Sequence, residues 1–232
     1  MALRRLNPFS RFMSYASGSN PPTAAIFDFD GTLADSERLT LSIYNEHAPR
    51  LGVPPVTADD VEHLRTLGPF DALKELNIPM WKVPRVVHAV RTGMHAQMGQ
   101  LAPFPGIVEA LHELRAGGAH CYVLSTNSAS NIEAFLNRYD MNLFEKLAGG
   151  SSAFGKARYL RKLIRTERLA FDRAFYVGDE VRDIHAARDA GVRSVAVSWG
   201  YSARAALLER GPDVLVDAPS ELARRILAFA AS

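Results

Sequence analysis

The sequence has little of what marks several large protein classes. Its 232 residues include one cysteine, Cys121, which excludes an intrachain disulfide framework. Because Cys121 lies in the apolar run Cys121-Tyr122-Val123-Leu124, we expect a buried, inert thiol in a reducing cytoplasm. No apolar run reaches the roughly 18 to 20 residues that a membrane-spanning helix needs. We therefore predict a cytoplasmic protein that does not associate with membranes.

Neither sign of charge is in clear excess. The chain has 27 Lys and Arg against 25 Asp and Glu, a net charge of +2. It lacks the clustered positive surface that nucleic-acid binding needs, so no nucleic-acid partner is predicted. Acidic residues are absent from Met1 to Ala25, where arginines and serines recur. This composition is typical of a flexible basic tail, which we predict over residues 1–22, or of an organellar transit peptide.

Short apolar runs alternate with amphipathic patterns along most of the chain. Five runs are typical of buried strands: Ala24 to Phe27, Ala119 to Leu124, Ala174 to Val177, Ser194 to Val197 and Val214 to Val216. Helical spacing is found at Ile107 to Ala116, Ser130 to Tyr139, Lys156 to Thr166, Arg182 to Ala190, Arg204 to Arg210 and Ser220 to Ala230. This order predicts an α/β fold, a doubly wound parallel sheet with a Rossmann-like core.

One interval departs from this alternation. Between Ser36 and Leu101 no convincing strand is found, and Pro103 and Pro105-Gly106 follow the interval. Its helical patterns span Glu37 to Leu51, Ala58 to Leu67, Phe70 to Leu76 and Val83 to Met98. We predict a small all-helical cap at residues 36–101, inserted into a core formed by residues 23–35 and 102–232. We expect the cap to close over the site and to open for product release.

Polar residues follow three of the predicted strands. They are Asp28 and Asp30 in IFDFDGTL, then Ser125-Thr126-Asn127, and then Gly178-Asp179-Glu180 with Asp183. Ligands of open parallel sheets bind beyond the carboxyl ends of the strands, so we expect the functional site there.

The acidic pair after the first strand is the strongest chemical signal. An unpaired carboxylate is costly to bury among Ile26, Phe27 and Phe29. Asp28 could attack phosphorus as a nucleophile, while Asp30 gives a proton to the leaving oxygen and later takes one from water. An all-oxygen site of Asp28, Asp179 and a backbone carbonyl suits Mg²⁺, which would offset the burial cost.

The other polar residues would surround the transferred group. Ser125 and the amides of Thr126 and Asn127 could donate to the phosphoryl oxygens, and Lys156 adds a positive charge. Asp183 could hold a metal-bound water or orient Asp179, with Glu180 also in this outer layer.

Each of these residues has a simpler interpretation. Asp179 could cap a helix that begins near Val181, Ser125 and Asn127 could be turn residues, and Lys156 could be a solvated charge.

The segment from Gly150 to Lys156 also matches the phosphate-binding loop G-x-x-x-x-G-K. The hydroxyl position of that motif is Ala157, however, and the strand signal before it, near Leu147-Ala148, is weak.

Taken in order, these motifs resemble the haloacid dehalogenase superfamily, in the phosphoglycolate phosphatase-like branch with a helical cap. The matching segments are Asp28 to Thr32 (DFDGT), the strand ending in Ser125, Lys156, and Gly178 to Asp183 (GDEVRD).

The resemblance implies a Mg²⁺-dependent phosphomonoester hydrolase for a small phosphorylated metabolite. Asp28 would be the nucleophile and Asp30 the general acid and base. Asp179 and the Asp30 carbonyl would complete the metal site. Ser125, or equally Thr126, and Lys156 would bind the phosphoryl group. Arg65 could place a cation over the leaving group, or it could be a surface residue. A sugar phosphomutase and a non-catalytic binding protein remain alternatives, and we expect a monomer or homodimer.

Overall fold

The computed structural model describes residues 21–150 and 155–231. Within them, six strands form one sheet: β1 (Ala24–Phe27), β2 (His120–Leu124), β3 (Phe144–Ala148), β4 (Ala174–Gly178), β5 (Arg193–Val197) and β6 (Val214–Val216). All neighbouring strands are parallel, in the order β3-β2-β1-β4-β5-β6. The winding direction reverses between β1 and β4, as in a doubly wound sheet. The predicted fold class is confirmed.

Ten α-helices accompany the sheet in these residues: α1 (Glu37–Leu51), α2 (Ala58–Leu64), α3 (Pro69–Glu75), α4 (Val83–Gln97), α5 (Ile107–Ala116), α6 (Ala129–Arg138), α7 (Lys156–Thr166), α8 (Val181–Ala190), α9 (Arg204–Glu209) and α10 (Pro219–Ala231). Two short 3₁₀ helices span Met98–Gln100 and Phe171–Arg173.

The helices cover both faces of the sheet. In β1, Ala25 and Phe27 face the apolar cluster that contains side chains of α5, α6 and α10. Ala24 and Ile26 face the opposite cluster, which contains side chains of α7 and α8. Successive strand residues point to opposite faces, so a central strand covered on both sides is apolar at every position. This two-sided burial explains the continuous apolar run before Asp28.

The sequence prediction missed one strand, β3. Its sequence, Phe-Glu-Lys-Leu-Ala, includes the exposed residues Glu145 and Lys146. β3 lies at the edge of the sheet and pairs with β2 alone. Edge strands are solvated on one side and often carry charges that discourage pairing with other chains. Five strands were therefore expected where the sheet has six.

Residues 36–101, which we call the helical insertion, contain α1 to α4 between β1 and β2. The insertion has its own apolar cluster, which includes Tyr44, Val56 and Val86. Ile43 of α1 and Met94 of α4 pack instead into the cluster beneath the sheet. The insertion is thus anchored to the sheet through one side of the α1 and α4 pair. Its division from the core as a separate cap stays a prediction.

The sequence also led to expectations about the single cysteine, membrane-spanning helices and the N-terminal segment. Cys121 is buried in β2, and burial raises the pKa of its thiol to about 12, so the thiol stays protonated. Among the helices of residues 21–150 and 155–231, none has the length and apolar character to cross a bilayer. The predicted N-terminal tail lies, up to residue 20, outside the described residues.

Candidate active site

The acidic residues meet where the winding of the sheet reverses. β1 and β4 are neighbours, and the backbone N–H of Asp28 donates to the carbonyl of Val177 (2.8 Å), which extends their ladder by one residue. Asp28 and Asp179 therefore leave adjacent strand ends side by side. Ser125 follows β2, on the other side of β1. The fold thus gathers three of the predicted polar segments at one edge.

Lys156 lies between two of the aspartates. Its side chain is 2% exposed, and its Nζ donates to Asp28 Oδ2 and to Asp183 Oδ1, the latter at 2.6 Å. Burial lowers the pKa of Lys156, but Asp183 and Asp28 outweigh burial and raise the pKa well above its usual value. The ammonium group is therefore charged. The interpretation of Lys156 as a solvated surface charge is wrong.

Asp179 is fully buried and receives two hydrogen bonds. Thr32 Oγ1 donates to its Oδ1 (2.8 Å), and the backbone N–H of Tyr201 donates to its Oδ2 (2.8 Å). The capping role suggested for Asp179 is wrong, because Glu180 occupies the N-cap of α8 and forms a reciprocal capping box with Asp183. The Asp179 carboxylate faces the site instead.

Two glycines make room for this carboxylate. Gly31 has a φ of +74°, and a Cβ there would lie 2.2 Å from Asp179 Oδ2. A Cβ on Gly200 would lie 2.3 Å from Asp179 Cβ. Both positions thus require glycine for close backbone approach, and Gly31 needs it for its left-handed conformation as well. Gly31 belongs to the DFDGT motif, whereas no local pattern marks Gly200.

Asp30 accepts a hydrogen bond from Asn127 and has a raised pKa. Asn127 Nδ2 donates to its Oδ2 (3.0 Å). Burial, with a contribution from the charge of Asp28, raises the pKa of Asp30 from 3.8 to about 6. A carboxyl group with such a pKa is about half protonated at pH 6 and about one tenth protonated at pH 7. Asp30 is therefore suited to give and take a proton.

The residues after β2 form a turn and also border the site. Ser125 is buried, and its Oγ accepts from the Asn127 N–H (3.2 Å), while Asn127 Oδ1 accepts from the Ser128 N–H (2.8 Å). These two hydrogen bonds show that Ser125 and Asn127 are turn residues. Thr126 and Asn127 also line the same cavity as Asp30. A role in the turn and a role in binding are thus compatible.

The acidic cluster has the donor set of a divalent cation site. Asp28, Asp179 and Asp183 are buried, and each offers a carboxylate oxygen within 4.8 Å of the others. Burial and, in order of effect, Glu180, Asp183 and Asp28 raise the pKa of Asp179 well above its usual value. Negative charge from the neighbouring acidic residues therefore remains around Asp179 despite the ammonium group of Lys156. Mg²⁺ prefers oxygen ligands, so these residues fit it. The ligand set of Asp28, Asp179 and the Asp30 carbonyl stays a prediction.

A cavity of about 910 Å³ separates the helical insertion from this edge of the sheet. Asp30, Thr126 and Asn127 border it on the sheet side, and apolar side chains of α1 to α4 border it opposite. Arg182 of α8 also lines the cavity and pairs with Glu180. Arg182 was not among the residues predicted from the sequence, although its place inside GDEVRD was available as a signal.

Arg65 lines the cavity at the end of α2, but its polar groups contact the loop after β5. Its Nη2 donates to the carbonyl of Gly200 (2.6 Å), and its own carbonyl accepts from the Ala203 N–H (2.7 Å). Its Nε also lies 3.7 Å from Glu37 Oε1. The structure thus places Arg65 at a junction between the insertion and the sheet.

Comparison with known proteins gives the class of this site. The model of haloacid dehalogenase-like hydrolases matches residues 25–197. The phosphoglycolate phosphatase of Synechococcus elongatus is 36% identical over 204 residues, which cover 88% of this chain and 96% of that protein. The phosphoglycolate phosphatase of Agrobacterium fabrum is 32% identical over 204 residues, covering 83% and 87%.

A solved structure agrees with these relatives. A haloacid dehalogenase-like family hydrolase from Streptococcus pneumoniae superimposes with a TM-score of 0.73 at 25% identity, covering 87% of this chain and 96% of that one. The fold, the site and these similarities together define a hydrolase of the phosphatase class. The chain belongs to the haloacid dehalogenase-like hydrolase family.

Proposed function

We propose that this enzyme is a Mg²⁺-dependent phosphomonoester hydrolase that works through an aspartyl-phosphate intermediate. One observation carries the proposal: the buried contact of Lys156 with Asp28 at the reversal point of the sheet, beside Asp179 and Asp183. A carboxylate with a fixed ammonium and further acids around it is costly as a structural element. As a nucleophile in a phosphoryl site, the same arrangement has a use.

In the proposed reaction, an oxygen of Asp28 forms a bond to phosphorus and the bond from phosphorus to the ester oxygen breaks. The electron pair stays on the leaving oxygen, which receives a proton from Asp30. A water molecule then gives a proton to Asp30 and attacks the phosphorus of the aspartyl phosphate. This second step releases inorganic phosphate and restores Asp28. The pKa of about 6 for Asp30 suits both transfers.

The metal would be held by Asp28, Asp179 and the backbone carbonyl of Asp30, with Asp183 and Glu180 in the surrounding layer. When bound, Mg²⁺ neutralises negative charge between the carboxylates and the phosphoryl oxygens. Thr32 and the Tyr201 N–H orient Asp179 through the hydrogen bonds described above.

The phosphoryl group would be bound on the side of β2 and α7. Ser125 and the amides of Thr126 and Asn127 supply donors at the strand end, and Lys156 supplies positive charge. Lys156 would exchange part of its contact with Asp28 for a phosphoryl oxygen, because the phosphoryl group would be transferred to Asp28 itself. Such prearranged donors stabilise the charge that develops during transfer.

We propose a small phosphorylated metabolite of the phosphoglycolate type as the substrate. Two relatives above 30% identity are named phosphoglycolate phosphatases. The cavity beside Asp30 includes Arg65 and Arg182, two cations that a second acidic group on the substrate could contact. Residues 36–101 would act as a cap that covers this cavity during transfer and excludes water.

The nucleophile is tested by replacing Asp28→Asn and measuring hydrolysis of an aryl phosphate with Mg²⁺. We expect turnover to fall to the background rate, because an amide cannot form the acyl phosphate. The matched control is Asp35→Asn, an exposed aspartate in the same segment, which should retain the wild-type rate. Unchanged turnover in Asp28→Asn would reject the assigned nucleophile.

The phosphomutase alternative is tested with a sugar monophosphate. A phosphatase releases inorganic phosphate as the substrate disappears, whereas a mutase accumulates a positional isomer. We expect phosphate release from 2-phosphoglycolate and no isomer from the sugar. Accumulation of an isomer faster than phosphate would assign the enzyme to the mutases.

A further inference from the structure

A chain of three hydrogen bonds leads from the helical insertion to Asp30. His95 Nδ1 lies 2.5 Å from Asn131 Oδ1. Asn131 Nδ2 donates to Asn127 Oδ1 (3.0 Å), and Asn127 Nδ2 donates to Asp30 Oδ2 (3.0 Å). His95 belongs to α4 in the insertion, whereas Asn131 belongs to α6 beside the sheet. The chain therefore crosses from one side of the cavity to the other.

The carboxylate fixes the direction of every bond in this chain. A carboxylate oxygen accepts, so Asn127 must turn its NH₂ group to Asp30 and its oxygen to Asn131. Asn131 must then donate with its NH₂ group and accept from His95 with its oxygen. His95 Nδ1 consequently carries a hydrogen. Donors aligned in one direction polarise one another, which strengthens each bond.

The intermediate residues are held in place by further contacts. Asn131 is 6% exposed, and its backbone N–H donates to Ser128 Oγ (3.2 Å) at the start of α6. The Ser128 N–H donates to Asn127 Oδ1 (2.8 Å). Neither amide can rotate without losing several bonds. The orientation of His95 thus bears directly on the orientation of the amide at Asp30.

The two oxygens of Asp30 have different surroundings as a result. Oδ2 accepts the Asn127 bond, while the buried Oδ1 has no partner at full hydrogen-bond geometry among residues 21–150 and 155–231, and the nearby Ser36 hydroxyl lowers the pKa of Asp30. A buried polar atom without a partner is unfavourable and is often kept for function. Oδ1 is the oxygen left to carry the proton that a leaving group would take.

We propose that His95 is a positioning residue for phosphoryl transfer. Through Asn131 and Asn127 it holds Asp30 Oδ2, so that Oδ1 is presented to the leaving oxygen when the insertion covers the site. This inference rests on the phosphatase function proposed above. It assigns a role in proton delivery to a residue of α4, which the motifs of the sequence do not include.

The role of proton delivery depends on the leaving group. When Asp28 displaces an alkoxide, the departing oxygen needs the proton of Asp30 as the bond to phosphorus breaks. When it displaces nitrophenolate, the oxygen leaves as a stable anion and needs little help. A residue that acts through Asp30 should therefore matter for alkyl phosphates and hardly matter for nitrophenyl phosphate. A residue that only supports the fold should matter equally for both.

The test measures kcat and KM of wild type and His95→Ala on 2-phosphoglycolate, an alkyl phosphate, and on 4-nitrophenyl phosphate. We expect kcat on the alkyl phosphate to fall about tenfold, the scale of one lost hydrogen bond. We expect kcat on the nitrophenyl ester to change less than about twofold and KM to stay constant. His95→Asn, whose amide NH₂ approximates the position of Nδ1, should recover most of the loss.

Two further variants sharpen the result. His112→Ala removes an exposed histidine of α5 and should leave both rates unchanged. The double variant His95→Ala with Asn131→Leu should be no slower on the alkyl phosphate than Asn131→Leu alone, because both act through one chain. If the losses of kcat in the two single variants were additive in the double variant, the two residues would not act through one chain of hydrogen bonds.

The outcomes separate the two proposals. Equal losses of His95→Ala on both substrates, or no loss on either, would overturn the role of His95 while the phosphatase function stands. Absence of wild-type turnover on both esters would remove the proposed function and this inference with it.

Discussion

At Asp30, function and stability are in conflict. Burial and the charge of Asp28 raise the pKa of Asp30 to about 6. At neutral pH this carboxyl group is therefore mostly ionised in surroundings that stabilise its protonated form. The enzyme needs that carboxyl group as an acid in one step and as a base in the next. The free energy of unfolding is accordingly lower than it would be with a neutral side chain there.

Replacing Asp30→Asn should stabilise the metal-free enzyme. A rise in pKa from 3.8 to about 6 corresponds to a penalty of about 3 kcal/mol above pH 7, at 1.36 kcal/mol per pKa unit. The penalty is complete above the folded pKa, shrinks as pH falls through about 6, and disappears below the ordinary value of 3.8. The gain should therefore be about 3 kcal/mol at neutral pH and about 0.5 kcal/mol near pH 4.

Urea unfolding of both proteins in a chelator measures this difference. Asp35→Asn, at an exposed position, should change the free energy of unfolding by less than about 0.5 kcal/mol. A destabilised Asp30→Asn variant at neutral pH would contradict the raised pKa.

Single residues differ in how well the sequence indicates them. Asp28 and Asp30 could be predicted because acidic side chains directly after an apolar strand have no cheap structural use. The roles of Thr32, Tyr201 and His95 could not be predicted, because each contacts a partner that only the folded chain brings near. Thr32 and Asp179, for example, are 147 positions apart. Local sequence thus indicates the reacting side chains, but it mostly does not indicate the residues that orient those side chains.

At the scale of the helix and strand, Arg65 connects the end of α2 to the loop after β5. Arg65 contributes two hydrogen bonds to the loop after β5, one from its side chain to Gly200 and one from the Ala203 N–H to its carbonyl. The same loop supplies the Tyr201 N–H that binds Asp179. Arg65 therefore connects the helical insertion to the loop whose Tyr201 N–H holds the Asp179 carboxylate.

Replacing Arg65→Ala removes the side-chain bond and keeps the backbone bond. We expect α2 (Ala58–Leu64) to open more often, so its amide hydrogens should exchange about tenfold faster, the scale of one lost hydrogen bond. Hydrogen exchange followed by mass spectrometry measures this rate. Arg50→Ala, an exposed arginine at the end of α1, serves as the control. Equal exchange of α2 in wild type and Arg65→Ala would show that Arg65 does not secure it.

Elements were predictable where periodicity is strong. The buried central strands and the amphipathic helices have patterns that differ clearly in period. β3 was missed because an edge strand that alternates charge with apolar residues resembles a loop. The amphipathic pattern begins at Arg182, whereas α8 begins at Val181 after its N-cap Glu180, because helix ends are set by capping and only weakly by periodicity.

At the scale of the whole molecule, the strand order determines which segments meet. The alternation of strands and helices predicts a parallel sheet, but it does not say that β1 lies between β2 and β4. That order brings residues 28, 125 and 179 to one edge. Long-range pairing of this kind leaves no trace in a local pattern, so the site could be predicted as a set of residue types but not as a geometry.

Binding of Mg²⁺ should stabilise the whole fold. The acidic cluster repels itself in the absence of the ion, and an ion that binds only the folded state adds about 2.7 kcal/mol at a concentration of 100 times Kd. We expect Mg²⁺ to raise the Tm of wild type relative to a chelator and to have little effect on Asp179→Asn. Asp172→Asn, an exposed aspartate far from the cluster, should keep the wild-type shift. Equal shifts in Asp179→Asn and wild type would place the ion elsewhere.

The central claim is that Asp28 becomes covalently phosphorylated, and trapping the intermediate tests it most directly. Enzyme mixed with substrate and Mg²⁺ is quenched and treated with borohydride, which reduces an acyl phosphate of aspartate to homoserine. Mass spectrometry of the peptide that contains Asp28 should then show homoserine at position 28, and none in Asp28→Asn or without substrate. Homoserine at another aspartate, or active turnover with none at position 28, would contradict the account.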